Sequence, residues 1–183
     1  MASLSRGVDF RLADDSDADG LIALIGSCYA EYEAEGCYLD MDGYDAHLRA
    51  ARTHFESNNG LLWVGIAQNQ LIACGGFMPG EETSHQKDGE IIVFRSDFEI
   101  CRMYVEKSWR GSGVATQLLS VIINHIKKEG ELLGRPISLD LWSDYRFHRG
   151  HRFYAKEGFI QTEETRELHD ISNTIEYHFV KQM

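Results

Sequence analysis

Arg110-Gly111-Ser112-Gly113-Val114-Ala115 stands between two stretches of different period. Upstream, Glu99-Ile100-Cys101-Arg102-Met103-Tyr104-Val105 alternates as a strand does. Downstream, residues 115, 118, 119, 122 and 126 are apolar, the spacing of one helix face. A strand, a small-residue turn and a helix start together form an anion site. Glycines let the backbone approach a ligand, and the unpaired N–H groups and dipole of the first helical turn face negative charge. The turn is expected to hold a pyrophosphate. It is not a P-loop, because no Gly-Lys-Ser/Thr ending occurs. Nor is it a complete dinucleotide fingerprint, because Thr116 stands where the third glycine should be.

The chain around this turn has 183 residues, 43% of them hydrophobic, with two prolines, as expected of one ordered domain over 1–183. Its net charge of −11 argues against nucleic acid or an anionic membrane as the main partner, since phosphate binding needs a cationic face. It suits an amine-bearing partner. No run approaches membrane-spanning length, and Met1 to Arg6 lacks the apolar core of a signal peptide. Cys28, Cys37, Cys74 and Cys101 stand singly, which reads as buried thiols in a reducing cytoplasm.

Along the chain, Val8 to Leu12 reads as an opening strand. Asp14, Asp15 and Ser16 offer N-cap chemistry to a helix over 18–33. A second helix is expected over 44–56. Strands over 61–67 and 71–78 follow, joined at Gln68-Asn69-Gln70. Residues 79–89 read as a polar loop or strand extension, and 91–94 with 98–105 as one strand or two pieces. The helix after the glycine turn is expected to reach Leu133, with Gly134 as its cap and Pro136 beyond. A strand over 137–142, a short helix over 147–157, a strand over 159–162 and a closing strand over 175–180 complete a mixed α/β domain.

This order of elements resembles the GNAT superfamily of acyl-CoA-dependent N-acetyltransferases over essentially the whole chain. Two motifs carry the resemblance. Arg110-Gly111-Ser112-Gly113-Val114-Ala115 matches the family's Gln/Arg-x-x-Gly-x-Gly/Ala turn, and Phe153-Tyr154-Ala155-Lys156-Glu157-Gly158-Phe159 matches its late aromatic-Tyr-x-Lys-x-Gly-Phe segment. The resemblance implies a mixed sheet flanked by helices with splayed central strands, and acetyl-CoA as co-substrate without a metal. It implies transfer of acetyl to a primary amine by direct attack in a ternary complex. A small amine is favoured as acceptor, and a homodimer accords with the family. The alternatives are an acyl-CoA-binding sensor without turnover, or an enzyme acting on protein lysines or N-termini.

The implied roles fall on named positions. Backbone N–H groups of Gly111, Ser112, Gly113, Val114 and Ala115 would hold the pyrophosphate, with Arg110 adding charge. Main-chain groups of Met103, Tyr104 and Val105 would hold the thioester and pantetheine arm, and an N–H aimed at the thioester oxygen would stabilise the oxyanion. Tyr154 would protonate the departing thiolate, and Gly150 would let the arm pass. Glu99 would deprotonate the amine; a carboxylate walled by Phe98, Ile100 and tryptophans has a raised pKa suited to that work. Its plainer reading is a residue on the strand's solvated face or one paired with Arg102. Where many members carry an asparagine seven residues before the tyrosine, this chain has Phe147, with Ser143 or Asp144 as substitutes.

Other features read less specifically. Tyr32, Glu33 and Tyr38 belong to an acidic, aromatic stretch that would cradle a cationic acceptor. His148 and His151 have metal-ligand spacing, but no third ligand accompanies them and Arg146, Arg149 and Arg152 would oppose a cation. Those arginines and Lys156 belong near the cofactor phosphates or on an exposed helix face. Trp63 and Trp142 read as core. No histidine is placed to activate Cys101.

Overall fold

The computed structural model describes residues 7–87, 89–130 and 134–183. A seven-stranded sheet organises them. It comprises β1 (Asp9–Leu12), β2 (Leu61–Ala67), β3 (Gln70–Pro79), β6 (Phe98–Val105), β7 (Ser138–Asp144), β8 (Ile160–Glu167) and β9 (Ile175–Gln182), in the order β1-β2-β3-β6-β7-β9-β8. β4 (Glu82–Lys87) and β5 (Glu90–Arg95) form a separate two-stranded ribbon where a loop or strand extension was expected. β9 is not the closing edge that its position in the chain suggested. It inserts between β7 and its hairpin partner β8, which becomes the edge.

Two cores sandwich the sheet. On one face α3 (Val114–Gly130) buries Val114, Leu118, Leu119, Ile122 and Ile126 against Ile100, Leu139 and Leu141. On the other, α1 (Ala18–Ala30) and α2 (Ala51–Ser57) bury Leu21, Leu24, Ile25 and Phe55 against Leu62, Val64 and Cys74. The expected end of α3 at Leu133 lies outside the described residues, as does the segment Met1 to Arg6. α1 stops at Ala30 rather than Glu33, and α2 is preceded by a 3-10 turn over Ala46–Ala50. The capping signal starts a 3-10 turn over Asp15–Asp17 that runs directly into α1. Asp14 accepts from the Ser16 N–H at 3.0 Å, and the Asp17 carboxylate accepts from the Asp14 N–H at 2.8 Å. Gln68 and Asn69 both adopt positive φ, 51° and 58°, as a two-residue hairpin requires. Among the described residues no helix is long and apolar enough to cross a membrane.

β6 and β7 decide where the sheet opens. They are the parallel pair, joined by the crossover helix α3, and their register holds only from Phe98↔Leu139 to Ile100↔Leu141. Beyond it they part. The cause lies in β6, which shifts register against β3 between Cys74 and Gly76 and places Arg102 at φ 55°. This is a β-bulge, which bends a strand and raises its twist. Past the bulge, β6 continues to Val105 with no strand on its β7 side. α4 (His148–Lys156) follows β7 on the far side of the opening.

Candidate active site

Gly111 and Gly113 have φ of 78° and 89°, left-handed values that cost any residue with a Cβ about 1–2 kcal/mol. The first α-helical bond of α3 runs from the Gln117 N–H to the Gly113 carbonyl, 3.0 Å, so the N–H groups ahead of it lack intrahelical partners. This turn borders a cleft of about 630 Å³, with Met103, Val105, Ala115, Gly150 and Tyr154 among its walls. Strand alternation turns the main-chain groups of Val105 away from β3 and toward the opening. Gly150 leaves room there, for a Cβ would meet nothing nearer than Tyr154 at 3.7 Å. Ser112 and Val114 are not among the cleft's walls: the Ser112 hydroxyl donates to the Trp109 carbonyl at 2.5 Å, and Val114 is buried in the core.

Arg110 lines the cleft but does not present a free charge to it. Its guanidinium pairs with Glu31 at the end of α1, 2.6 Å, and its Nε donates to the Val105 carbonyl, 2.9 Å. Arg149 and Lys156 also border the cleft, while Arg152 is exposed. Arg146 departs from the expected basic face. It is buried against Asp144 at 2.7 Å and donates to the Thr174 hydroxyl at 3.1 Å. His151 contacts the Asp144 carbonyl at 3.0 Å, and among the described residues no three histidine, cysteine or carboxylate groups gather to hold a metal.

A second, smaller pocket of about 90 Å³ opens where β6 and β7 part. Met103, Tyr104, Ser143, Phe147 and Tyr154 border both cavities, so the two spaces meet at the bulged end of β6 and the tyrosine of α4. Glu99 lines the smaller one. Burial pushes its carboxyl up to about 7; Arg166 opposes the shift, and Asp140, Glu176 and Glu81 add to it. Its ion partner is Arg166, at 3.4 Å, whereas Arg102 pairs with buried Asp45 at 2.7 Å. Ile100 and Trp142 line the same pocket, as expected, whereas Phe98 does not and packs with the α3 core. Tyr154 is buried among Phe153, Phe159 and Phe179, and burial raises its phenol well above the ordinary value. Burial likewise pushes the Cys101 thiol up to about 12, against any thiolate role.

Of the expected acceptor residues, Tyr32 borders the larger cleft, its ring 4.9 Å from that of Phe147. Glu33 and Tyr38 border neither cavity. With α1 ending at Ala30, the chain turns outward, and both main-chain groups of Tyr38 bond the Ser172 hydroxyl. Phe147 caps α4 without a side-chain bond and packs its ring against Tyr29 and Tyr32.

Several pocket residues were not anticipated. Arg166 and Glu176 are register partners on β8 and β9, 2.6 Å apart, and Arg166 lies 4.6 Å over the ring of Trp142, expected to be core. Tyr44 lies beneath Arg102, 5.0 Å from ring centre to guanidinium, and the Tyr29 and Tyr104 hydroxyls meet at 3.0 Å. Opposite charges at Arg166 and Glu176 are a usable signal only once the strand register is known.

The profile of the acetyltransferase (GNAT) domain family matches residues 58–161, more than half of the chain. No curated protein sequence matches it. Among solved structures, a GNAT-family acetyltransferase of Staphylococcus aureus Mu50 superimposes with a TM-score of 0.70 at 15% identity, covering 96% of this chain and 99% of that one. The PaiA N-acetyltransferase of Thermoplasma acidophilum, solved with coenzyme A, gives 0.66 at 16% identity over 97% and 99%. An acetyltransferase of Clostridium acetobutylicum, solved with acetyl-CoA, gives 0.60 at 23% identity over 88% and 96%.

Proposed function

This chain belongs to the GNAT acetyltransferase family, and from that premise we propose that it transfers acetyl from acetyl-CoA to a primary amine by direct attack in a ternary complex. One observation carries the reading. A cleft that starts at the glycine turn meets a pocket holding a buried carboxylate, and a buried tyrosine stands at the junction. Relatives solved with coenzyme A or acetyl-CoA support the co-substrate.

In this mechanism the N–H groups of the 111–115 turn take the pyrophosphate, and the main chain of Met103 to Val105 takes the pantetheine arm and thioester. Glu99 accepts a proton from the acceptor ammonium. The freed nitrogen forms a bond to the thioester carbon, and an N–H of β6 stabilises the oxyanion. As the C–S bond breaks, Tyr154 gives its proton to the sulfur, and the second proton lost by the nitrogen restores the Tyr154 phenol. A raised phenol pKa suits a donor, and a carboxylate titrating near 7 suits a base at neutral pH. A pocket of about 90 Å³ admits a slender amine-bearing end, which favours small unbranched amines.

The test is CoA release followed by mass spectrometry, with acetyl-CoA offered alongside polyamines, aminoglycosides, amino acids and lysine peptides. Release that depends on one amine is expected. Tight acetyl-CoA binding with no release for any amine would instead support a sensor, and no binding would overturn the reading of the turn.

A further inference from the structure

Behind Glu99 lies a buried polar chain that the mechanism leaves unused. Glu99 of β6 and Asp140 of β7 are partners in the parallel register, so both side chains leave the sheet on the same face. Asp140 is 1% exposed. Its Oδ2 lies 3.2 Å from His178 Nε2, while its Oδ1 has no hydrogen-bond partner among the described residues. His178 is fully buried, with the Trp142 ring stacked on it at 4.3 Å and the Phe94 ring 5.4 Å away.

The Asp140 carboxylate only accepts, so His178 Nε2 is the donor to it. On the other side of the ring, the Thr162 hydroxyl lies 3.1 Å from His178 Nδ1 and accepts from the Glu164 N–H at 3.2 Å. Among the described residues this leaves Asp140 Oδ1 without a partner. A buried carboxylate oxygen without a partner is costly, and such a group in a native fold calls for a reason. The register brings beside it one side chain that changes from acceptor to donor during the reaction, namely Glu99.

We propose that Asp140 is a positioning residue for the base: its Oδ1 accepts a hydrogen bond from Glu99 once Glu99 has taken the acceptor's proton, and His178 holds Asp140 in place. The inference rests on the reading of Glu99 as base. It balances simply, for the proton leaves the acceptor nitrogen, forms an O–H bond on Glu99 and is shared with Asp140. Other groups face the same site. Arg166 comes from β8, Glu176 from β9, Glu81 from the approach to β4 and Tyr44 from the segment before α2, with Cys101 on β6 itself. His178 also faces Glu164, whose Oε2 lies 3.6 Å from Nδ1.

The test is a pH titration of side-chain carboxyls by carbon-13 NMR in uniformly labelled protein, which needs no acceptor. In the wild type, the glutamate signal absent from Glu99→Gln is expected to titrate near pH 7. The Asp140 signal, identified by its loss in Asp140→Asn, should inflect at the same pH and lose that inflection in Glu99→Gln. In Asp140→Asn the Glu99 midpoint should fall by about one unit, because a neighbouring negative charge is gone. An Asp140 acting through its charge alone would move that midpoint too, so the bond itself is read below pH 7 as a downfield Glu99 carboxyl proton that is lost in Asp140→Asn, and its absence in the wild type overturns the proposal. An Asp140 signal that stays flat while Glu99 titrates overturns the proposal, and so does an unmoved midpoint in Asp140→Asn. If Asp140→Asn does not fold, Asp140 is assigned by through-bond connectivity and the wild type and Glu99→Gln decide alone. Failure of the base reading would show separately, as an unchanged pH–rate profile in Glu99→Gln.

Discussion

Burial disfavours the charged forms of both Glu99 and Tyr154, with opposite consequences for the proposed base and acid roles. In the proposed acid role the neutral form of Tyr154 is the active one, available over the whole working range. Tyr154→Phe is expected to lower kcat about 100-fold while acetyl-CoA affinity changes little, read by steady-state kinetics beside calorimetry. Equal losses in both would remove the acid role. In the proposed base role the active form of Glu99 is the ionised one, so kcat/KM should rise with pH through about 7, and Glu99→Gln should lose that limb. Stability runs the other way. The folded protein binds the Glu99 proton more tightly than the unfolded chain, so this group favours folding as pH falls through 7 toward the ordinary glutamate value of 4.5. Above 7 its buried charge destabilises the fold. Glu99→Gln should therefore melt higher than the wild type at pH 8 by a few degrees, with the gap closing by pH 5. A gap independent of pH would show that Glu99 is not the titrating group.

Two elements convert backbone geometry into a binding site, namely the glycine turn before α3 and the bulge in β6. At Gly113 a Cβ would meet only Gln117 Nε2 at 3.7 Å, so space does not forbid alanine there; φ does. Gly113→Ala is expected to cost about 1–2 kcal/mol by forcing the turn to relax, and to weaken acetyl-CoA binding by calorimetry. Unchanged affinity would dissociate the turn from the ligand. The bulge depends on a buried ion pair, Arg102 with Asp45 at 2.7 Å, which ties β6 to the segment before α2. Removing one partner of such a pair leaves an uncompensated charge, so Asp45→Ala should destabilise by about 3–5 kcal/mol in chemical denaturation. Conservative replacement of Tyr44, which lies beneath Arg102, should cost far less.

Across the whole molecule, the two cores are separated by one sheet and share its strands. β3 contributes Phe77 to one core and Cys74 to the other, so neither face can unfold alone without exposing the second. Thermal unfolding is expected to show one transition by tryptophan fluorescence and circular dichroism alike, and separate midpoints would divide the chain. Acetyl-CoA at about 100 times its Kd should stabilise that transition by about 2.7 kcal/mol. In Gly150→Leu, whose side chain would enter the cleft beside Tyr154, the ligand-induced shift should vanish while the unliganded midpoint stays near that of the wild type.

The sequence by itself determined what is local. Alternation in 99–105, the glycines at 111 and 113, the apolar face of α3 and the capping aspartates before α1 are all governed by the chain's own neighbours, so short-range periodicity and φ preference suffice to read them. Two motifs were enough to identify the family and to name Glu99 and Tyr154 as candidates. Only the tertiary structure decided which groups meet. Arg166, Glu176, Asp140 and His178 surround or support Glu99 from three strands, and their pairing depends on register and on β9 inserting beside β7. The same long-range packing turned Arg146 inward onto Asp144, bound Arg110 to Glu31, and carried Glu33 and Tyr38 away from both cavities. A charge on a sequence reads as solvated until its partner is known, and the partners here lie tens of residues away.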